Sequence, residues 1–465
     1  MPSNRGPNVI LDMVSRASNP TNGQPQTHVV IVGGGFAGLG CARGLAGKDS
    51  VHVTLIDRHN YHQFQPLLYQ VATSQLAASD VAMSLRKAFH ADDNVDVKLA
   101  EVTEVDTEKR SVTTAEGETY TGDVLVLAAG AQANFFNTPG AAEHSFPLYS
   151  LADAERLRAR VLAAFEDADR EPKLIDQGAL NFVIVGAGAT GTELAGSMAD
   201  MVNETMPVEY HDLAVSRATI QVVDLGHVVL GGFSDRAHKY ASKVLTERGV
   251  TLRLGTGVKE VAADHVLLSD GTRIETRCVA WAGGLMAAAP AAASGLTQGR
   301  GGRIDVRTDL TVDGVPGVYV VGDIANISDP DGNAFPQLGS VALQSGTCVA
   351  DSILAQAAGK PPTTFHYKDK GIMAMIGRGA AVAEVGKHRH ELHGPIAFAA
   401  WLGVHAALMS GVRNRIEAFI DWGWDYFSKT RGPQVLDERS DAGRIDWDEG
   451  DADVEVTASL AAPVQ

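Results

Sequence analysis

The chain has 465 residues, 45% hydrophobic and 20% charged, with a formal net charge of −17. That length suits two or three globular domains of ordinary composition, and the acidic balance excludes a general nucleic-acid binder, which needs a basic face. Cys41, Cys278 and Cys348 lie far apart with no C-x-x-C or C-x4-C pair, which excludes a redox disulfide between neighbours, an Fe–S or zinc ligand set, and predicts a reducing compartment.

Residues 1–26 are polar, lack an apolar signal core and read as a flexible leader. Thr27 to Val32 is then an apolar run ending in Gly33-Gly34-Gly35-Phe36-Ala37-Gly38, a G-x-G-x-x-G turn. Such a turn lets a pyrophosphate approach backbone N–H groups at a helix N-terminus. Phe36 to Leu45 continues as a helix of small residues, and Val51 to Ile56 is a second strand ending at Asp57. An acid about 20 residues past the turn is placed to bind a ribose hydroxyl. Leu125 to Gly130 is another buried strand running into a glycine turn, and Leu151 to Phe165 has the spacing of a connector helix.

Asn181 to Val185 restarts the pattern, followed by Gly186-Ala187-Gly188-Ala189-Thr190-Gly191. The next strand, Ile220 to Val223, ends at Asp224, whose carboxylate favours a free ribose 2′-OH and predicts NADH over NADPH. Met206 to Arg217 reads as an inserted loop that lengthens this second spacing. Val318 to Val321 leads into Gly322-Asp323. Asp323 is either an acceptor for a cofactor hydroxyl or part of an ordinary turn. Its place after the second unit implies that the chain has returned to the first domain. Two such turns predict two dinucleotides with electrons passing between them, the pattern of a flavoprotein.

The predicted fold class is α/β: two Rossmann-like dinucleotide-binding domains, the second inserted in the first, plus C-terminal amphipathic membrane-associated helices. The first domain is expected over 27–165 and 301–392, the second over 166–300, and the helices over 393–432. Ile396 to Met409 is apolar but shorter than the ~20 residues of a membrane span. Ile416 to Phe427 carries Trp422, Trp424 and Tyr426, flanked by Arg413, Arg415, Lys429 and Arg431. Aromatic residues beside cations suit helices lying in one leaflet's interface; buried dimer helices are the alternative. Residues 433–465 hold nine acids between 437 and 455 against Arg439 and Arg444, and read as a solvated, disordered tail.

Over about residues 27–432 the chain resembles the type II NADH dehydrogenases, the single-subunit, non-proton-pumping NADH:quinone oxidoreductases. The resemblance rests on His62-Gln-Phe-Gln-Pro-Leu-Leu-Tyr-Gln-Val-Ala72, Val185-Gly-Ala-Gly-Ala-Thr-Gly-Thr-Glu-Leu-Ala195, Val320-Val-Gly-Asp-Ile-Ala325, Tyr367-Lys-Asp-Lys-Gly-Ile-Met-Ala374 and the C-terminal helices. It implies non-covalent FAD at Gly33, Gly35, Phe36, Ala37, Gly38, Asp57, Arg58, Ala129, Gly130, Gly322 and Asp323. It implies NADH at Gly186, Gly188, Gly191, Glu193, Asp224 and Gly283. Glu193 is expected near nicotinamide and flavin, its alternative being a first-turn acid favoured by the helix dipole. Gln344 matches the second glutamine of the family's A-Q-x-A-x-Q quinone run. The Ala-Gln pair is replaced by Gly339-Ser340, with Gln337 a turn earlier, which leaves acceptor identity open. Lys370 is either a charge near flavin or quinone, or a surface lysine. Ala189 stands for a common proline and Gln70 for a common glutamate.

The resemblance implies hydride transfer from NADH to FAD, then two electrons to a membrane quinone, menaquinone or ubiquinone. It also implies a homodimer at the cell inner membrane, peripheral on the cytoplasmic face. The alternatives are a diaphorase with a soluble acceptor and a low-turnover flavin redox sensor. A sulfide:quinone oxidoreductase needs catalytic cysteines that the three isolated thiols do not supply.

Overall fold

The computed structural model describes residues 26–386, 388–428, 430–436 and 441–447. Its first unit begins with β1 (Thr27–Val32), α1 (Phe36–Leu45), β2 (Val51–Asp57), β3 (Val95–Leu99) and β4 (Val124–Leu127). The next stretch holds β5 (Phe146–Pro147), α2 (Leu151–Arg170), β6 (Asn181–Val185), α3 (Ala189–Asp200), β7 (Thr219–Asp224), α4 (Asp235–Glu247), β8 (Val250–Leu254) and β9 (Cys278–Trp281). There follow β10 (Thr311–Val312), β11 (Val315–Val320), α5 (Gly339–Ala357), β12 (Gly371–Met375), β13 (Ala381–Val385), β14 (His390–His393), α6 (Pro395–Leu408) and α7 (Val412–Ser428).

One sheet has six strands in the order β10-β11-β4-β1-β2-β3, and another has five in the order β5-β9-β6-β7-β8. β4-β1-β2-β3 and β9-β6-β7-β8 are therefore the same parallel arrangement used twice. Strands covered on both faces read as continuous apolar runs; Val29, Val30, Ile31 and Leu125 are fully buried, as is Ile184. The first sheet takes β10 and β11 from beyond the second sheet, so the chain of the second lies within that of the first. Phe146–Pro147 pairs with β9 in the second sheet, so that sheet draws a strand from before the boundary expected at 166.

The connector helix α2 is capped by Ser150, whose Oγ accepts the Asp153 N–H at 3.1 Å while the Asp153 carboxylate accepts the Ser150 N–H at 2.8 Å, a capping box. The stretch expected as an inserted loop is partly helical. α3 runs on through a π-turn at Met201–Thr205 and a helical turn at Met206–Glu209, with a 3-10 turn at Val215–Arg217.

Around the first sheet lies one apolar core; the second sheet shares another with Phe64 to Val81, Met375 and the buried residues of α6 and α7. No helix among the described residues is long and apolar enough to cross a membrane. Residues 1–25 of the expected leader and residues 437–440 and 448–465 of the expected tail lie outside the described residues, as does Lys429. Part of that tail is packed rather than solvated, a correction with a clear cause. Ala442 is buried, Trp447 donates its indole N–H to Asp167 at 2.8 Å, and the Arg277 guanidinium lies 5.3 Å from the Trp447 ring. The apolar and aromatic residues among the acids decide its placement.

Candidate functional site

The two glycine turns have the same construction. Gly33 has φ +105 and Gly186 φ +106, values that disfavour any side chain. A side chain at Gly33 would strike the Ala128 carbonyl and one at Gly186 the Ala282 carbonyl, while side chains at Gly38 and Gly191 would strike the Gly33 and Gly186 carbonyls. Each third glycine thus lets the helix pack onto its own strand end. The middle glycines differ: nothing lies within 4 Å of where a Cβ of Gly35 or Gly188 would stand. The helix N-termini therefore open onto free space, where a pyrophosphate has room to meet unpaired N–H groups.

The acids close each turn in the same way. Asp57 accepts the Gly34 N–H at 2.5 Å and the His59 N–H at 2.6 Å. Asp224 accepts the Ala187 N–H at 2.6 Å and the Gly226 N–H at 2.5 Å. Both carboxylates keep further lone pairs for a ribose hydroxyl. Gly283 has a counterpart in Ala129, since their Cα atoms face Gly186 and Gly33 respectively at the same would-be Cβ distance of 3.0 Å.

The first turn borders a cleft of about 1200 Å³, counted to its open mouth. Gly33, Gly35, Phe36, Ala37, Asp57, Arg58, Ala129, Gly130, Gly322 and Asp323 all line it, and Gly38 supports it from behind. Residues without a motif line it too: Tyr149, Gln63, Gln65, and Ala288 to Pro290. The Tyr149 hydroxyl accepts the Ala131 N–H at 3.1 Å and donates to Asp323 at 3.4 Å. Burial pushes the Asp323 carboxyl up to about 6, against the pull of Tyr149 and Arg303. Only the neighbouring capping serine marks Tyr149 in the sequence. This elongated cleft has an anion-ready helix end, a ribose acid and a hydroxyl acceptor, so its residues fit FAD.

Glu193, one turn into α3, is buried and accepts the Met375 N–H at 3.1 Å. Burial pushes its carboxyl up to about 8; the Met375 N–H and the Trp401 indole, which falls short of an aligned hydrogen bond, pull the other way. At neutral pH the group therefore holds a proton. Tyr69 lies beside it, donating to the Met375 sulfur at 3.7 Å and accepting from Gln70 at 3.1 Å. Trp401 stacks on His405 at 4.0 Å between ring centres, and burial pushes that imidazole down to about 4, so it is neutral.

The other expected catalytic residues stand elsewhere. Gln344 spends both ends of its amide on the Lys368 backbone, at 3.2 and 2.9 Å. Lys370 is exposed. Neither borders the cleft. Ser340 pairs its hydroxyl with Tyr367 at 2.9 Å, and Gln337 donates to the Asp323 carbonyl at 3.1 Å.

Two of the residues expected at a membrane interface point inward. Trp422 is buried and donates to Gln70 at 2.8 Å; Arg431 is buried and donates to the Thr73 and Ser197 carbonyls. Their polar atoms find partners in the interior, which composition alone does not reveal. Trp424 and Phe427 are 63% and 85% exposed. The three cysteines are unpaired, and burial pushes the Cys278 thiol up to about 12.

The family model of pyridine nucleotide-disulphide oxidoreductases matches residues 27–346. A type II NADH:quinone oxidoreductase of Mycobacterium tuberculosis is 34% identical, covering 97% of this chain and 98% of its own. One from Haemophilus influenzae is 26% identical over 81% of this chain and 92% of its own. The structure of NDH2 from Plasmodium falciparum in complex with NADH superposes with a TM-score of 0.80 at 19% identity, covering 88% of this chain and all of that one. With its doubled nucleotide turns and a relative this similar along almost its whole length, the chain belongs to the type II NADH:quinone oxidoreductase family.

Proposed function

We propose that the protein oxidises NADH and reduces a membrane quinone, with FAD bound along the first turn and NADH at the second. The observation that carries this reading is the doubled turn, two nucleotide-ready helix ends on two matching sheets. When bound, FAD supplies the two-electron chemistry that links NADH to the quinone.

The chain's own residues bind, orient and shield. Gly33, Gly35 and Gly38 admit a pyrophosphate to α1, and Asp57, Asp323 and Tyr149 offer acceptors for the sugar hydroxyls. Gly186, Gly188 and Gly191 do the same at α3, where Asp224 selects NADH. Glu193 holds a proton at a buried carboxyl oxygen, with Tyr69 and Trp401 excluding water. Gln344 acts near the quinone once its amide leaves the Lys368 backbone, and Lys370 from its exposed position. The FAD unit spans 27–165 with 301–392, and the NADH unit 166–300.

α6 and α7 lie in one leaflet on the cytoplasmic face of the inner membrane, where quinone enters, and a second copy completes a dimer. The support is the outer side of α7: Ile416, Ile420, Trp424 and Phe427 recur at helical spacing and are all exposed. A second reading, a soluble acceptor, is favoured by Gln344, whose amide is occupied.

Steady-state NADH oxidation separates the two, using a long-chain quinone in vesicles against a soluble dye. Faster turnover with quinone, together with co-flotation on the vesicles, is the expected result. Turnover with the dye alone overturns the quinone assignment.

A further inference from the structure

One face of α7 is exposed, and the other enters the interior. Ala418, Trp422 and Asp425 are buried and share a face by their spacing. Two chains of contacts run from them toward Glu193. The first is Trp422 to Gln70 at 2.8 Å, Gln70 to Tyr69 at 3.1 Å, and Tyr69 to Met375 at 3.7 Å. The second begins at Asp425, which accepts from Gln75 at 2.8 Å and from Arg378 at 3.0 Å. Arg378 follows β12 closely, and its own N–H donates to Asp200 of α3 at 2.6 Å. The same guanidinium pairs with Glu204, and Arg248 with Asp200.

β12 itself has little freedom. A side chain at Gly196 would meet the Ile376 carbonyl at 2.5 Å, so the strand end lies directly on α3 one turn past Glu193. Gly377 has φ +114, and its Cα faces the Arg248 guanidinium and Asp200. The Met375 N–H that bonds Glu193 therefore lies between two contacts that trace back to α7, one at the Met375 sulfur and one at Arg378 three residues on.

Resting on the reading above, we propose that α7 is a positioning element of the NADH step as well as a membrane contact. Asp425 and Trp422 hold the Met375 N–H and the Tyr69 ring in place against Glu193. They touch neither nucleotide and act through the strand. The arrangement ties membrane seating of α7 to the geometry around the Glu193 carboxyl.

The test uses the full-length holoenzyme with Asp425→Asn, Asp425→Glu and Trp422→Phe, the last keeping most of the ring while removing the N–H. Three quantities are read: flavin bleaching by NADH in a single turnover across pH, hydrogen exchange of the segment containing Met375, and binding to phosphatidylglycerol–phosphatidylethanolamine vesicles. Asp425→Asn and Trp422→Phe are expected to slow bleaching by at least about tenfold. They should shift its pH midpoint from that of the wild type and speed exchange at Met375, while vesicle binding stays within about twofold. Asp425→Glu should restore the midpoint. Folded variants with wild-type exchange and an unmoved midpoint overturn the proposal. Should Asp425→Asn fail to fold, Trp422→Phe decides alone. A wild-type protein that NADH does not bleach would instead sink the functional reading on which the proposal rests.

Discussion

The two nucleotide turns match in φ, in glycine contacts and in the acid that closes them, yet the start of the first helix is more covered than that of the second. Gly35 and Gly188 are both exposed, but Phe36 is half-buried and Ala37 buried, whereas Ala189 and Thr190 are exposed. The cover over the first turn comes from late in the chain. A side chain at Gly346 of α5 would strike the Ala37 carbonyl, a Cβ at Gly339 would stand 3.4 Å from the Phe36 ring, and one at Gly322 would stand 2.9 Å from the Ala37 methyl. Among the described residues nothing buries Ala189 and Thr190 in this way. An enclosed turn suits a cofactor that stays bound through turnover, and an open one suits a substrate that must leave. The motif marks a dinucleotide site; the returning chain sets how far it is covered.

The largest effect expected from this contrast comes from matched glycine substitutions. Gly38→Ala places a methyl on the Gly33 carbonyl, and Gly191→Ala does the same at Gly186. The first should yield protein that has lost most of its flavin, read from the visible spectrum after gel filtration. The second should keep its flavin and bind NADH at least about tenfold more weakly, ~1.4 kcal/mol. Flavin loss from Gly191→Ala would break the assignment of the two sites.

Next in size is the pair of acids. Asp224→Ala strands the Ala187 and Gly226 amides, and losing such partners costs about 1–3 kcal/mol. KM for NADH should rise accordingly and the preference over NADPH should narrow, while flavin content is unchanged. An unaltered NADH/NADPH ratio would remove Asp224 from the specificity account.

Glu193→Gln should act through pH. In the folded protein the carboxyl titrates at about 8, above the ordinary value of about 4.3. The native state therefore holds the extra proton between those values, so this stabilisation is complete below about pH 4 and is lost as pH rises through about 8. Wild-type thermal midpoints should fall across that window. The glutamine variant should lack that component of the slope and show no rate transition near pH 8.

The two turns and their acids are legible in the sequence, because glycine and the strand-end acids answer to local backbone demands; the difference in their cover is not. Asp224 was found despite its long spacing, since it ends a strand as Asp57 does. What escaped depends on segments far apart in the chain. Tyr69 meets Met375, and Trp422 meets Gln70, across more than three hundred residues. Arg431 has the look of a headgroup cation until its carbonyl partners in the interior are seen. Gln344 fits a motif, but motif spacing does not reveal that Lys368 occupies its amide. Trp447 sits among acids and packs regardless.

The smallest effect concerns how α7 seats. Asn414 donates to the carbonyls of Ser79, Asp80 and Ala82 at 2.9 to 3.0 Å. Burial and the nearby Asp421 push the Asp80 carboxyl up to about 6, although the Ala77 N–H favours its charge. A raised acid is stabilising below its ordinary value of about 3.9 and loses that contribution as pH rises through about 6. Hydrogen exchange of α7 should quicken modestly over that range, and Asp421→Asn should flatten the change. A flat wild-type profile would contradict the paired-acid account.

The most direct test is stopped-flow mixing of the detergent-solubilised holoenzyme, first with NADH and then with a menaquinone or ubiquinone analogue, following the flavin band at about 450 nm. The account predicts that NADH bleaches the band and that quinone restores it rapidly. A band that NADH leaves intact, or that stays bleached when quinone is added, would contradict it.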